Sequence, residues 1–199
     1  MKTSIVWFRK SLRLHDNPAL TAACDDETVD SILPLYIFDP DTVGENYQKL
    51  SPNRLRFLIE SLSDLDHQLS SQYGSGLFIL QGNPGVIFEK ITDSLGQSLE
   101  SLNCEYCSEP WERKNFFSLK KALEKKNASV RIQSFSAFQT ILDVEKVVSS
   151  ADYRNPKSMK DIDRIFSSHF DKDEHGFYKI DDPVPAPDKI KPLPQISSV

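Results

Sequence analysis

The stretch "VWFRKSLRLHDNPAL" (residues 6–20) decides the fold, because it passes from an apolar run to a helix start across a cluster of cations. Val6, Trp7 and Phe8 are apolar on both faces of any strand they form, as in a parallel sheet covered by helices. Asn17 and Pro18 read as a cap followed by proline at the first helical position, where its missing N–H costs nothing. Arg9, Lys10 and Arg13 stand between strand and helix.

The same alternation continues outward. "SIVWF" (4–8), "SILPLYIF" (31–38), "GLFILQG" (76–82), "LNCEYC" (102–107) and "SVRIQSF" (129–135) read as five strands. Ser51-Pro52 and Asn83-Pro84 repeat the cap-and-proline device. After Pro52, Leu55, Leu58, Ile59, Leu62, Leu65 and Leu69 recur at helical spacing. "FFSLKKALEKK" (116–126) forms a further helix whose lysines gather at its C-terminal end, where they favour the dipole. Strand and helix in turn predict an α/β fold: a doubly wound, five-stranded parallel sheet.

Beyond about residue 140 the pattern weakens. The expected organisation is an α/β domain over 1–140, a connector with short helices over 141–182, and a Pro-rich tail or linker over 183–199. The connector helices are "LDVEKVVSSA" and "SMKDIDRIFSSHF", and "DKDEHG" reads as a solvated charge run ending in a turn. The tail carries five prolines in seventeen residues, which leaves an extended linker or a loose tail.

At 199 residues, 39% hydrophobic and 27% charged, the chain has the make-up of a soluble globular protein. A net charge of −5 excludes a nucleic-acid polyelectrolyte, so DNA contact would need a local basic patch or another domain. No apolar run is long enough to cross a bilayer and no signal core opens the chain, so an intracellular place, nuclear or cytoplasmic, is expected. Three cysteines, an odd number, fit a reducing compartment.

Cations where a strand meets a helix suit an anionic or electron-rich ring ligand, because open parallel sheets bind ligands beyond the carboxyl ends of their strands. The same residues read equally well as solvated loop groups, with Arg13 or Asp16 tied into a structural salt bridge. Asp39 follows the second strand, where dinucleotide folds place a ribose-binding acid, yet the first turn has no glycine. GxGxxG and GxxxxGK[ST] are both missing, which argues against ordinary NAD binding and P-loop chemistry. "GSG" (74–76) reads as a turn. In "CEYC" (104–107) the strand assignment sends Cys104 and Cys107 to opposite faces, so the pair reads as buried thiols and no metal site is expected. His15, His67, His169 and His175 form no triad. "SEPWERKNFF" (108–117) brings Glu109, Trp111 and Arg113 to the edge that holds Arg9 and Asp39, where Trp111 could stack on a planar ligand or a neighbouring domain.

Taken together, "VWFRKSLRLHDNPAL", "LPLYIFDP" (33–40), "NRLRFLIESLSDLDHQL" (53–69), "LFILQGNPGVIFEKI" (77–91), the "EP" at 109–110 and "FSAFQTILDVEKVV" (135–148) resemble, in order, the opening of the DNA photolyase and cryptochrome family. The form with Lys10 and His15 is most similar to the animal cryptochrome and (6-4) photolyase branch. The resemblance implies a photolyase-type α/β antenna domain. In some members such a domain holds a chromophore, 8-hydroxydeazaflavin or methenyltetrahydrofolate. It also implies a partner, a helical domain in cis or trans that binds FAD, meets DNA and performs blue-light-dependent repair or photoreception.

By the same resemblance Arg9, Arg13, Asp39 and Glu109 are the candidate cofactor-binding residues around an antenna pocket, or else brace a helical domain, and no catalytic residue is expected in this chain. Three positions depart from the family pattern: Ser11 stands for an acid, Asn115 and Phe116 for an Arg-Asp pair, and "NPKSM" (155–159) for "PPLT". A sequence ending at the connector is expected to be either the first piece of a longer protein or a truncated, cryptochrome-like interaction module. The latter would dock on protein partners without a chromophore or an activity.

Overall fold

The computed structural model describes residues 1–107, 109–127, 129–135, 147, 150–151, 153–179 and 183–194, apart from the side chain of Trp111. Two compact units divide the chain, one of Met1–Phe135 with Val184–Val199 and one of Ser136–Pro183.

The first unit is a five-stranded, all-parallel sheet of β1 (Thr3–Phe8), β2 (Ser31–Phe38), β3 (Phe78–Gln81), β4 (Leu99–Glu105) and β5 (Arg131–Phe135) in the order β3-β2-β1-β4-β5. The chain steps outward from β1 through β2 to β3, then crosses to β4 and β5. The strand order therefore reverses between β1 and β4, which makes the gap beyond their carboxyl ends the switch point. Every residue of β1 and β2 is buried, as two covered faces require. β3 and β5 lie at the edges and mix part-buried with exposed residues.

Helices α1 (Pro18–Asp25), α3 (Pro52–Tyr73), α4 (Pro84–Leu95) and α5 (Pro110–Lys126) all begin with proline, and a four-residue turn of helix, α2 (Pro40–Val43), follows β2. Asn17, Ser51 and Asn83 cap α1, α3 and α4 by accepting from Leu20, Arg54 and Gly85 amides, as the sequence predicts. Gly74 ends α3 at φ 62°, the left-handed conformation that glycine adopts without strain.

α4 and α5 pack together over one face of the sheet. Ile5, Trp7, Leu33, Leu35, Leu102 and Cys104 meet Phe88, Ile91, Leu119 and Leu123 there in a continuous apolar layer. α1 lies against β1, β4 and β5. Strand alternation puts Ser4, Ser101 and Asn103 on the face opposite that layer, where Ser101 Oγ and Asn103 Nδ2 both donate to Ser4 Oγ at 2.8 and 2.9 Å.

Several boundaries differ from expectation: β3 and β5 are shorter than the expected 76–82 and 129–135. β4 begins at Leu99 instead of Leu102, because Ser101, polar in sequence, is satisfied in the interior by Ser4, and it ends at Glu105, short of Cys107. α5 begins at Pro110 instead of Phe116, since its first turn is built from charged residues that show no apolar period.

The Pro-rich segment over 183–194 is extended and attached. The Asp16 amide donates to Val184 O at 2.6 Å, the Ile32 amide to Pro192 O at 3.1 Å, and Lys191 Nζ to Asp26 O, while Ile190 is buried.

In the second unit α6 (Met159–Ser167) starts at a Ser158 cap, and Lys172 and Tyr178 form an antiparallel bridge across the charged turn at Gly176. Most of "LDVEKVVSSA" lies outside the described residues.

Candidate functional site

The cations after β1 separate into three arrangements. Arg9 lays its guanidinium over the Trp7 ring, 4.6 Å from the centroid, and ion-pairs with Glu112 of α5 at 2.8 Å. Lys10 pairs with Glu109, and with Glu112 at 3.4 Å. Arg13 turns back on its own loop, pairing with Asp16 at 2.8 Å and donating from Nε to the carbonyls of His15 and Asp16.

The backbone of the same loop is held from across the switch point. Glu105, the last residue of β4 and only 3% exposed, accepts from the amides of Lys10 at 2.8 Å and Ser11 at 3.0 Å through one oxygen, Oε2. Its Oε1 lies 3.4 Å from Ser11 Oγ. Three acids from β4 and the start of α5 thus take up the side chains of Arg9 and Lys10 and two loop amides. The Lys10–Glu109 contact holds the Glu109 carboxyl below its ordinary value. Burial pulls the Lys10 ammonium down, but the Glu109 hydrogen bond and the neighbouring acids outweigh it and its pKa is raised.

A cavity of about 300 Å³ opens beside this junction, on the face covered by α4 and α5. Trp7, Phe116 and Leu119 supply apolar surface, and Arg9, Asp39, Asp41, Glu112 and Asn115 supply polar groups. The N-terminal turn of α4, Asn83 to Gly85, forms one lip. Trp7 is fixed by an edge contact with Phe88, ring centroids 5.0 Å apart. Asp39 caps α2 by accepting from the Asp41 amide at 3.0 Å, and burial raises its carboxyl pKa although Arg9 and Lys49 draw it back.

The volume is at the low end of the usual range of about 300–1,000 Å³ for small-molecule sites. A space of that size has room for one planar ring system. Aromatic walls with a buried acid and a cation fit such a ring, since an apolar lining with a few polar groups is the common pattern of ligand sites.

Of the four residues expected to bind a cofactor, Arg9 and Asp39 line this cavity. Glu109 stands behind it as the partner of Lys10, and Arg13 is engaged with Asp16. Arg113 lies within 6.0 Å of the Tyr106 ring centroid. The side chain of Trp111 lies outside the described residues.

Glu105 and Glu112 escape the sequence reading because an isolated acid carries no pattern. Their signal is the match in number between cations after one strand and acids after another. Of the three expected departures from the family pattern, Asn115 and Phe116 prove to be cavity wall, and Ser11 binds Glu105.

Cys104 faces the apolar layer, and burial pushes its thiol up to about 12. Cys107 lies past the end of β4, so strand alternation does not govern it. Its sulfur falls within 4.8 Å of carboxylate oxygens of Glu109 and Glu112. Lys10 and Arg9 already neutralise those carboxylates, and burial holds the Cys107 thiol protonated.

Among the described residues, no helix is long and apolar enough to cross a membrane. The DNA photolyase family model matches residues 4–188. Cryptochrome-1 of Gallus gallus is 31% identical over 164 residues, which are 82% of this chain and 25% of that protein. Cryptochrome-1 of Drosophila melanogaster is 40% identical over 95 residues, 46% of this chain and 17% of that protein. The chain thus spans about a quarter of the length of the first of these relatives.

Among solved structures, a Synechocystis sp. PCC6803 cryptochrome superposes with a TM-score of 0.80 at 21% identity, covering 100% of this chain and 38% of that one. A class III photolyase from Agrobacterium tumefaciens gives 0.69 at 22% identity, with 100% and 37% covered. Sheet order, the motifs that open β1 and α1, and a family match across most of the sequence agree: the chain belongs to the DNA photolyase family, of which it presents the N-terminal α/β domain.

Proposed function

We propose that this chain serves as the light-gathering or bracing α/β domain of a photolyase- or cryptochrome-type protein. The cavity beside Trp7 and Arg9 holds the ring of an antenna chromophore, a deazaflavin or a folate. FAD, lesion recognition and electron transfer belong to a helical domain supplied in cis or trans, and any contact with DNA runs through that domain.

The observation that carries this reading is the cavity itself. It lies at the carboxyl edge of the sheet, where α/β folds bind ligands, with two aromatic walls and Arg9 and Asp39 facing inward. Arg13 and Glu109 act one step removed, by holding the loops that carry Arg9 and Lys10.

Expression in a host supplied with deazaflavin and folate, followed by near-ultraviolet and blue absorption of the purified protein, tests the proposal. A protein-bound band that Trp7→Ala abolishes supports it. A bare spectrum with both chromophores supplied removes it.

A second reading draws on α3, whose first turns present Phe57 and Ile59 to solvent, 72% and 53% exposed, while Leu62, Leu65 and Leu69 further along are buried. Large apolar groups held outward on a rigid helix suit a protein partner, and a cryptochrome-like docking module without chromophore would use them. Loss of partner capture in a Phe57→Ser, Ile59→Ser double variant with an unchanged melting temperature would favour this reading.

A further inference from the structure

Glu105 holds a position that nucleotide-binding α/β proteins leave to their ligand. At a switch point the amides of the first β–α loop point past the sheet edge and gather an anion, commonly a phosphate. In this chain the consecutive amides of Lys10 and Ser11 converge on one carboxylate oxygen of Glu105, at 2.8 and 3.0 Å, and Ser11 Oγ lies near the other. The carboxylate arrives from β4, the strand directly across the switch point, and is almost completely buried. The side-chain cations nearest to it are engaged as well, Lys10 with Glu109 and Arg9 with Glu112.

We infer that the Lys10–Ser11 loop is an oxyanion-binding nest whose ligand is the chain's own Glu105, and that Glu105 thereby bars phosphate-bearing ligands from the switch point. A carboxylate and a phosphate present the same chemistry to a pair of amides: an anionic oxygen that accepts two hydrogen bonds. A covalently tethered acid outcompetes a free one, because its local concentration is fixed by the fold. Any nucleotide reaching the neighbouring cavity must therefore keep its phosphates in solvent. The inference rests on the β1–α1 loop alone and does not depend on a chromophore in the cavity.

Inorganic phosphate is the probe, and the amide resonances of Lys10 and Ser11 in the 199-residue protein are the readout. In Glu105→Ala, phosphate moves both resonances along one saturable curve, at least about tenfold tighter than any effect in the unaltered protein. Glu105→Gln, which keeps an accepting oxygen in the nest, gains no phosphate site. A folded Glu105→Ala protein whose two amides ignore phosphate overturns the inference, and so does an unaltered protein that binds phosphate there equally well.

If Glu105→Ala does not fold, the unaltered protein decides. Its Lys10 and Ser11 amides must follow the Glu105 carboxyl carbon through acid titration and stay still when phosphate is added at neutral pH. Amides that move with phosphate while Glu105 is ionised refute the inference.

Discussion

Arg9 Nη2 lies 2.8 Å from Glu112 Oε2, a contact that joins two residues 103 positions apart and ties the end of β1 to the first turns of α5. Both side chains are largely withdrawn from water, 15% and 7% exposed. Breaking a pair of this kind leaves a charge without its partner, which costs more than the pair contributes. Glu112→Gln should therefore lower stability by about 2 kcal/mol in urea unfolding. Arg9→Met should cost less, because Trp7 keeps an apolar neighbour. In the double variant the two losses should not add, and additive losses would show that the residues act independently.

The Lys10–Glu109 pair is more exposed and gives a pH dependence with a definite sign. The Glu109 carboxyl lies below its ordinary value of 4.5 in the folded state, chiefly through the hydrogen bond from Lys10. Its contribution is therefore fully present above 4.5 and is lost as pH falls through the lower folded value. Thermal melts taken down from neutral pH should show a smaller acid-side decline for Glu109→Gln than for the unaltered protein. The difference should stay within about 1 kcal/mol, because both side chains are over two-fifths exposed and water screens them.

Most of the α/β frame was legible because its signals are local. Asn17-Pro18, Ser51-Pro52 and Asn83-Pro84 announce helix starts by chemistry that acts within three residues. The Val6–Phe8 and Ile32–Phe38 runs announce buried strands. What resisted reading was chemistry closed across long separations. The polar Ser101 looks like loop until Ser4 is seen beside it. Glu105 looks like an ordinary acid until Lys10 and Ser11 turn their amides toward it. At the cavity, Arg9 and Asp39 were readable from their positions after β1 and β2, whereas Asn83, Asn115 and Phe116 arrive on helices whose placement the sequence does not print.

The attached Pro-rich segment gives a third test. Ile190 is buried, and Lys191 reaches Asp26 O just past α1. Ile190→Ala should lower stability by about 2 kcal/mol, the low end for removing a buried branched side chain. Cys24 sits near Lys191, and its thiol is pushed up to about 11 chiefly by burial. Ending the chain at Pro183 should accordingly speed labelling of Cys24 by a disulfide reagent at constant pH, while Cys104 and Cys107 remain slow. Unchanged Cys24 reactivity would mean that the segment covers something other than α1.

Asp39 joins stability to the proposed binding role. Burial raises its carboxyl pKa, so the folded state holds that proton more firmly than the unfolded chain does. The ionised group thus opposes folding above its raised value, and stability from this residue declines as pH rises through it. Asn can still cap α2 by accepting from the Asp41 amide, so Asp39→Asn should be neutral to slightly stabilising at pH 7, by up to about 0.5 kcal/mol after allowance for solvent. A carboxylate kept where it disfavours folding points to a use in binding. The same variant should then weaken uptake of a planar ring with N–H donors by about tenfold, the loss of one charge-assisted hydrogen bond. Equal affinity in both proteins would leave Asp39 a helix cap alone and would place the recognition of any ring on Trp7 and Arg9.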